Sequence, residues 1–314
     1  MHNLHKSIAF DLGQSQSRFY QKGELVLAIP TEQIKNGQII DSFLNRGEIA
    51  SLFPAEIFLK KAILTFHKPL FGIIKKQFTA LVSVPASIGD PGIRAFRDTL
   101  NAIGAKEVIM FPDAFITALG LGLAPTDIVT LIDFGAGKTS ITTIDECGIV
   151  KSEMLDISGK GLDIIIQNYL KQTHDLLVDQ ETARKLKEEH LYLDKKTTDW
   201  PIPVSGRGKD TNDERSINIR HTELAACISD EINTLVDKII AHIGWLEDGL
   251  SEYIQQKGIY ILGNGSKIKG LINLIAERIS VLPQSYKDID YLGAGLKKIQ
   301  TEEMSDIFLM NKII

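Results

Sequence analysis

The clearest pattern in the chain is an apolar run that ends in a glycine-rich turn and continues as an alternating segment. Residues 128–134 read Ile-Val-Thr-Leu-Ile-Asp-Phe, Gly135 and Gly137 follow, and the alternating segment then runs to a turn at residues 147–148. A continuous apolar run predicts a buried strand, and period-two alternation predicts a second strand with one buried face. The segment is therefore predicted to form a strand, a glycine-rich hairpin and a return strand.

The N-terminal segment repeats this pattern. Residues 8–12 form an apolar run interrupted by one aspartate, and a polar stretch then leads to a turn at residues 22–23. Three positions correspond between the two copies: Asp11 with Asp133, Gly13 with Gly135, and Ser17 with Thr139. A repeated strand–Asp-x-Gly–strand unit predicts a duplicated domain in which two hairpins face each other.

A third apolar run, residues 258–262, leads into another glycine turn. Gly263, Asn264, Gly265 and Ser266 follow it, and residues 267–271 then read as a helix start. A turn of this composition lets the backbone approach a flat ligand closely.

The two Asp-x-Gly hairpins point to phosphate binding. Glycine permits the positive φ angles that let several backbone N–H groups point at one anion. An aspartate at the strand end is placed to hold Mg²⁺ through water. Lys138 and Thr139 after Gly137 do not make a P-loop, because Gly-x-x-x-x-Gly-Lys-Thr needs a glycine where Ile132 stands. A single Asp-x-Gly hairpin is also a common turn, so the prediction depends on the repetition.

Taken in order, these features resemble a known superfamily. Asp-x-Gly near the start, Asp-x-Gly-x-Gly-x-Thr in mid-chain and Gly-x-Gly-Ser late are similar to the phosphate 1, phosphate 2 and adenosine motifs of the actin-type ATPases. Within that superfamily the chain most resembles the MreB-type bacterial actins. Further resembling stretches follow in the family's order at residues 84–87, 101–108, 113–123, 157–163 and 292–295.

The resemblance implies an α/β, two-domain actin-like ATPase fold, built from duplicated ribonuclease H-like domains with a nucleotide cleft between them. Domain I is expected to comprise residues 1–132 plus 292–314, and domain II residues 133–291 with a small subdomain at about 175–235. Subdomain IB is expected to be absent or vestigial, because almost nothing separates the first hairpin from the turn at residues 36–37.

The resemblance also implies ATP and Mg²⁺ as cofactors, with Asp11 and Asp133 organising the metal and contributing to catalysis. The nucleotide-binding residues that it implies are Gly13, Gln14, Ser15, Gln16, Gly135, Ala136, Gly137, Lys138, Thr139, Gly159, Lys187, Gly263, Asn264, Gly265 and Ser266. Gln14 and Gln16 replace the family's more usual Thr and Asn, and Lys160 replaces an acidic residue.

Three side chains keep two interpretations. Asp113 stands where typical members carry the Glu that orients the attacking water, so it is expected to position water for slow hydrolysis; alternatively it caps the next helix. Lys138 is either an added cation near the phosphates or solvent-facing. Lys187 matches a family lysine near adenine or ribose, or is an ordinary solvated lysine.

Two apolar segments raise the question of a membrane or a partner. Leu70, Phe71, Ile73 and Ile74, flanked by lysines, fit an apolar wedge for anionic lipid, or else a buried helix-to-strand connection. The tail, residues 305–314, either docks on domain I or lies on a membrane. Apolar residues at helical spacing over 224–250 predict a long amphipathic helix, which packs in the core or pairs as a coiled coil.

The composition of the chain argues against several kinds of partner, metal site and membrane segment. With 314 residues the chain can bury a large core or two domains, and its net charge of −5 gives no support for a nucleic-acid partner. Two cysteines argue against a disulfide framework and favour a reducing cytosol. The seven His residues show no metal-ligand spacing, and neither a signal peptide nor an apolar run of transmembrane length is readable.

The sequence therefore predicts an MreB-like cytoskeletal ATPase that assembles into filaments in cell shape or intracellular organisation. It is expected in the cytoplasm, at the inner face of the membrane, with itself and other cytoskeletal or morphogenetic proteins as partners. The alternative is a non-filamentous actin-fold adaptor of the FtsA or PilM type, which binds ATP and recruits partners at the membrane. The missing subdomain favours this alternative.

Overall fold

The structure is a computed structural model of the 314-residue chain. It describes residues 4–35, 38–67, 78–124, 126–193, 199–246, 254, 258–279, 281–285 and 289–301. Two five-stranded sheets form its frame, and the stretches that link their strands carry the helices and three smaller sheets.

The first half of the chain builds one sheet and three helices. Its strands are β1 (Ile8–Leu12), β2 (Gln16–Gln21), β3 (Glu24–Pro30), β4 (Gln33–Lys35), β5 (Gln38–Asp41), β6 (Leu44–Asn45), β7 (Glu48–Ile49), β8 (Phe78–Val84) and β9 (Ala105–Pro112). Its helices are α1 (Leu52–Phe66), α2 (Asp90–Ala102) and α3 (Asp113–Gly120), after a 3₁₀ turn at Leu4–Lys6. The large sheet has the order β3-β2-β1-β8-β9, and β4–β5 and β6–β7 are separate hairpins.

The second half repeats the plan. Its strands are β10 (Val129–Phe134), β11 (Thr139–Asp145), β12 (Gly148–Leu155), β13 (Leu176–Leu177), β14 (Pro201–Gly208), β15 (Glu214–Arg220), β16 (Ile259–Leu262) and β17 (Gln284–Ser285). Its helices are α4 (Gly159–Thr173), α5 (Gln180–Lys185), α6 (His221–Cys227), α7 (Ser229–Trp245), α8 (Leu271–Ile279) and α9 (Tyr291–Thr301), with a π turn at Leu186–His190 and a 3₁₀ turn at Asn264–Lys267. The large sheet has the order β12-β11-β10-β16-β17.

The two large sheets share one topology. In each, the first three strands are antiparallel and the last two run parallel to the central strand, β1 or β10. The predicted duplication and the α/β fold class are therefore confirmed. The strand that opens the second sheet begins at Val129, four residues before the expected start of domain II.

Side-chain alternation along the two central strands places the two aspartates. Phe10 packs into a core between the first sheet and α1 and α2, while Ala9 packs into a different core that lies between the two sheets. Because successive side chains of a strand point to opposite faces, Asp11 shares the inner face with Ala9. Leu131 belongs to the same inner core, so Asp133 lies on the inner face of the second sheet.

Close backbone packing brings the end of the described chain back to the first half. A Cβ at Gly120 of α3 would overlap the Tyr291 carbonyl of α9, and a Cβ at Gly295 would overlap the Ile116 carbonyl. The two helices can approach this closely only because both positions are glycine. α9 thereby packs on α3 and contributes Leu296 to the core between the sheets.

The predicted amphipathic helix region over 224–250 contains two helices in its described part, which ends at residue 246. The structure divides it into α6 and α7 at Ile228, which is fully buried. The apolar residues of α7, including Ile232, Leu235 and Ile239, pack into the core of the second half. This is the core-packing alternative rather than a coiled coil.

Residues 176–190 do not form one continuous helix. Leu176 and Leu177 instead form β13, the first strand of a three-stranded sheet with the order β13-β14-β15. Asp179 then caps α5 by accepting a hydrogen bond from the Thr182 N–H at 2.8 Å. Within the range expected for the small subdomain, β14 and β15 form a hairpin in antiparallel register. Among the described helices, none has the length and apolar character needed to cross a membrane.

Candidate functional site

The site is a cleft of about 410 Å³ between the inner faces of the two large sheets. The turns that follow β1 and β10 face each other across it, and the N-terminus of α3 and the segment before α9 close two further sides. The predicted site residues that line it are Asp11, Gly13, Gln14, Ser15, Gln16, Asp113, Asp133, Gly135, Ala136, Gly137, Lys138, Gly263 and Asn264. Residues that are far apart in the sequence therefore meet in the cleft between the two hairpins, as the repeated motif predicts.

The first hairpin is held by a residue that the sequence did not single out. Gly13 N–H donates to the Gln16 carbonyl at 3.2 Å, which closes the turn. Thr31, just after β3, donates its hydroxyl to the Gly13 carbonyl at 2.6 Å, and its N–H to the Ser15 carbonyl at 3.1 Å. Its hydroxyl also lies 2.7 Å from that of Ser17. Thr31 therefore fixes the carbonyl side of the loop.

The second hairpin docks on the start of α4. Gly135 N–H donates to the Lys138 carbonyl at 2.9 Å, and the carbonyls of Gly135 and Ala136 accept from the N–H groups of Gly159 and Lys160, each at 2.9 Å. Thr139, expected among the nucleotide residues, donates its hydroxyl to the Ile157 carbonyl at 2.6 Å and does not line the cleft. Its observed contact braces the hairpin.

Both hairpins keep backbone donors for a ligand. With their carbonyls engaged, the N–H groups of Gln14, Ser15, Ala136 and Gly137 donate to no other described residue. Backbone N–H groups gathered in a turn form an anion-binding concavity. The two loops therefore offer donors from opposite sides of the cleft, which suits a chain of phosphates.

Asp113 does not cap its own helix. It is the first residue of α3, and its Oδ1 accepts from the Ala86 N–H at 3.2 Å. Its Oδ2 accepts from Lys138 Nζ at 3.1 Å, and both side chains are only 15% exposed. The capping interpretation of Asp113 and the solvent-facing interpretation of Lys138 are therefore both wrong. The two side chains form an ion pair across the cleft.

The two predicted metal carboxylates are buried acids. Burial raises the pKa of Asp11 to about 6, with Arg18 opposing the rise and Asp290 and Asp133 adding to it. Burial likewise raises the pKa of Asp133 to about 6, with Asp113 adding to the rise and Lys138 opposing it. Burial therefore destabilises the ionised form of each carboxylate, and a cation bound between the two would stabilise it.

This donor set fits Mg²⁺ only as a cation shared with a ligand. Among the described residues there is no cluster of three or more His, Cys, Asp or Glu side chains that could hold a metal. Mg²⁺ commonly takes one or two protein carboxylates and completes its six positions with water and phosphate oxygens. Asp11 and Asp133 could supply two such carboxylates, and the N–H groups of the hairpins could hold the adjoining phosphates.

A second pocket of about 760 Å³ adjoins the cleft and contains Gly159, Lys187 and Gly265. Lys187 is buried, and its Nζ donates to the Gly159 carbonyl and to Asp163 Oδ1, each at 2.5 Å. The solvated interpretation of Lys187 is therefore wrong. Ser266 is buried, donates its hydroxyl to the Gly263 carbonyl at 2.7 Å and lines neither pocket.

Glycine is required at two points of the turn between these pockets. Gly263 has a φ of +77°, which L side chains rarely adopt, and a Cβ at Gly265 would overlap the Phe134 ring. The Gly263 N–H donates to the Tyr291 hydroxyl at 2.7 Å, and this hydroxyl in turn donates to Asp133 Oδ1 at 3.4 Å. The third glycine turn is thus connected to the aspartate of the second hairpin.

Two further ion pairs join the halves of the chain beside the cleft. Lys160 pairs with Glu32, whose side chain also accepts from Gln14 Nε2 at 3.1 Å. Arg46 pairs with Asp156. The basic residue that departs from the family pattern at position 160 therefore has an acidic partner on the opposite side.

Sequence reasoning missed Arg18, Asp290 and Tyr291 in the cleft and Glu32 in the adjoining pocket. One signal was available, because a hairpin this short places the residue opposite Asp11 on the same face, and that residue is Arg18. The others belong to segments with no motif of their own. The predicted membrane wedge of Leu70, Phe71, Ile73 and Ile74 lies outside the described residues, as does the 305–314 tail.

A hydrogen-bonded Thr–His–Glu row in the second half has a structural role rather than a catalytic one. Thr143 Oγ1 lies 3.0 Å from His242 Nε2, and His242 Nδ1 lies 3.1 Å from Glu153 Oε1. The order matches a nucleophile, a base and an orienting acid, but Thr143 and His242 are fully buried, so no substrate reaches the hydroxyl. Burial also lowers the pKa of His242, which keeps the ring neutral in the core.

Comparison with known proteins agrees with this geometry. The sequence model described as MreB/Mbl protein matches residues 35–302. The chain is 25% identical over 239 residues to the cell shape-determining protein MreB of Escherichia coli strain K12, covering 75% of this chain and 68% of that protein. It is 26% identical over 259 residues to the cell shape-determining protein Mbl of Bacillus subtilis strain 168, covering 81% and 77%.

Solved structures share the fold. MreB5 of Spiroplasma citri bound to AMPPNP superposes with a TM-score of 0.82 at 21% identity, over 94% of this chain and 95% of that one. The MamK double helical filament gives a TM-score of 0.74 at 16% identity, over 95% and 100%. At these identities the similarity establishes the actin-like fold alone.

Proposed function

The chain belongs to the MreB/Mbl family, and we propose that it is an MreB-like cytoskeletal protein that binds ATP with Mg²⁺, hydrolyses it slowly and assembles into filaments. One observation carries the proposal: two glycine hairpins present unpaired N–H groups to each other beside the buried carboxylates of Asp11 and Asp133. That arrangement suits a polyphosphate with a shared cation. The process served is cell shape, which the names of the relatives print, or else intracellular organisation.

Assembly is proposed to depend on closure of the cleft. The moving parts are residues 1–132 with 292–314 and residues 133–291, with the small subdomain at about 175–235. A ligand that contacts both hairpins binds the closed arrangement better than the open one, and so shifts the population toward it. The filament of MamK, which has the same fold, supports self-association as the outcome. When bound, Mg²⁺ would neutralise phosphate charge between Asp11 and Asp133.

The proposal is tested by sedimentation with ATP and Mg²⁺. Wild type is expected to pellet with ATP, whereas Asp133→Ala should stay in the supernatant because it removes one of the two metal carboxylates. Asp237→Ala is the matched control, since that carboxylate is 64% exposed and pairs only at the surface. Pelleting of Asp133→Ala at the wild-type level would contradict the proposed site.

A second candidate, the non-filamentous adaptor, is favoured by one observation. Only residues 31–51 separate β3 from α1, and they form the short hairpins β4–β5 and β6–β7. We infer that the subdomain IB expected from the family resemblance is reduced to these hairpins, which leaves less surface for contacts between subunits. Tight ATP binding without pelleting in the experiment above would select this candidate, which recruits other cytoskeletal or morphogenetic proteins.

We also propose a cytoplasmic location with peripheral contact at the inner face of the membrane. Helix α1 supports it, because Phe53, Ile57 and Leu64 lie on one outward stripe and are 72%, 40% and 46% exposed. Lys60 and Lys61 are exposed on the same helix. Apolar side chains beside lysines suit the boundary of an anionic bilayer.

Liposome flotation tests this contact. Wild type is expected to float with vesicles that contain an anionic phospholipid, and Phe53→Asp is expected to reduce the floated fraction several-fold, because it places a negative charge in the stripe. Leu282→Asp is a matched control, since Leu282 is 73% exposed and lies outside α1. Equal flotation of Phe53→Asp and wild type would remove α1 from the proposed contact.

A further inference from the structure

Arg18 reaches into the cleft from the strand that returns from the first hairpin. It lies directly opposite Asp11 in the β1–β2 register, so both side chains share the inner face of the sheet. Arg18 Nη1 lies 3.3 Å from Asp11 Oδ2 and 3.6 Å from Asp290 Oδ1. Its Nε donates to Gln16 Oε1 at 3.2 Å.

These contacts orient the guanidinium without using all of it. The Nε and Nη1 groups face protein acceptors, while Nη2 donates to no other described residue. The side chain is 35% exposed, and the exposed part faces the same cleft as the free N–H groups of the first hairpin. A planar guanidinium with free donors matches a phosphate group in geometry as well as charge.

The charges of the cleft favour an additional cation beside a bound polyphosphate. Four carboxylates line it, from Asp11, Asp113, Asp133 and Asp290, against three cations, from Arg18, Lys138 and Lys267. A triphosphate adds several negative charges, which the low local dielectric makes costly. The Lys138 ammonium already pairs with Asp113 at 3.1 Å, whereas the contacts of Arg18 are longer.

We infer that Arg18 is a phosphate ligand that shares with Mg²⁺ the neutralisation of the bound nucleotide, so that nucleotide binding in this protein survives the removal of Mg²⁺. The inference rests on the proposed function and adds a residue to it. Gln16 acts as the positioning residue, because its side chain fixes the rotation of the guanidinium on the strand. Asp11 then holds both the arginine and the cation that arrives with the nucleotide.

The test is the affinity for a fluorescent ATP analogue, measured by anisotropy in Mg²⁺ and again in EDTA. Arg18→Leu is expected to weaken binding about tenfold or more in EDTA, because a hydrogen bond to a charged group is lost, and about threefold or less in Mg²⁺. Arg18→Lys keeps the positive charge but loses the planar set of guanidinium donors, so its affinity should lie between those of Arg18→Leu and wild type. Arg94→Leu, at an exposed position of α2, should match wild type.

The outcomes separate this inference from the proposed function. No binding of the analogue by wild type in either condition would overturn the proposed function, and the inference with it. Binding by wild type with the same ratio of EDTA to Mg²⁺ affinities in Arg18→Leu would overturn the inference alone. Thermal unfolding of each variant checks that it is folded. If Arg18→Leu is not folded, the affinities of Arg18→Lys, which keeps a cation beside Asp11, are compared with those of wild type instead.

Discussion

At about pH 8, Asp133→Asn is expected to unfold at a higher temperature than the wild type when no nucleotide is added, and at the same time to lose Mg²⁺-supported ATP binding. Burial raises the pKa of Asp133 from 3.8 to about 6, so the folded protein holds the ionised carboxylate at a cost. At 1.36 kcal/mol per pKa unit this cost is about 3 kcal/mol at most. Asparagine keeps the shape of the side chain and removes the charge.

The pH dependence has a definite sign. Because the folded state binds this proton more tightly than the unfolded chain, Asp133 lowers stability increasingly as the pH rises from 3.8 to about 6, and its full cost is present above that range. The stabilisation by Asp133→Asn should therefore be largest at neutral and alkaline pH and should disappear as the pH falls toward 4. Each kcal/mol corresponds to roughly 2–4 °C or less in a protein of this size.

Calorimetry from about pH 5 to pH 8 measures this difference, with Asp237→Asn as the control. Asp237 is mostly exposed and pairs with Arg278 at the surface, so its replacement should change the midpoint little at any pH. An unfolding midpoint for Asp133→Asn below that of wild type at alkaline pH would contradict the argument that the buried, ionised carboxylate destabilises the fold. A functional site that lowers stability is a common compromise between activity and stability.

The sequence predicted those parts of the fold that depend on local patterns of apolar residues and glycine. The two apolar runs around Asp11 and Asp133, each followed by glycine and a return strand, were sufficient for the hairpins and their duplication. Period-two alternation then fixes which face carries each aspartate, and the two faces meet because both strands are central in their sheets. The most specific local signal is also the one on which the proposed nucleotide site depends.

The parts that the sequence missed depend on residues that are distant in the chain. Nothing near Asp113 shows that Lys138 will reach it, and nothing near Lys160 shows that Glu32 will, because each pair forms only when the two halves meet. The break between α6 and α7 at Ile228 likewise carries no glycine or proline, so the apolar period continues through it. There the backbone follows the burial of Ile228 rather than a local stop signal.

The residues of the cleft connect these two kinds of information. Local sequence provides loops with free N–H groups and two buried carboxylates. Long-range ion pairs, among them Arg46–Asp156, Lys138–Asp113 and Lys160–Glu32, hold together the halves that carry them. Since Lys138 Nζ pairs with Asp113, a phosphate group that attracts Lys138 also changes the surroundings of Asp113. Ligand binding and the proposed hydrolytic residue are therefore coupled through one lysine.

Asp113→Ala is accordingly expected to slow ATP hydrolysis about a hundredfold while ATP binding persists, because loss of a positioned water acceptor has an effect of that order. In the structure both oxygens of Asp113 are engaged, Oδ1 by the Ala86 N–H and Oδ2 by Lys138. Asp113 can accept a proton from water only after Lys138 has moved to the phosphates. Phosphate release with a single turnover of ATP measures the step, and sedimentation should show a longer-lived polymer.

Lys138→Met separates this role from a purely structural one. If Asp113 positions water, Lys138→Met should weaken ATP binding and leave the hydrolysis of bound ATP measurable, since Asp113 is then free of its partner. If Asp113 serves only to hold Lys138 across the cleft, Asp113→Ala and Lys138→Met should impair binding alike, and Asp113→Ala should hydrolyse bound ATP at the wild-type rate. The ion pair of 3.1 Å makes both variants lose the same contact, so only hydrolysis of bound nucleotide distinguishes the two roles.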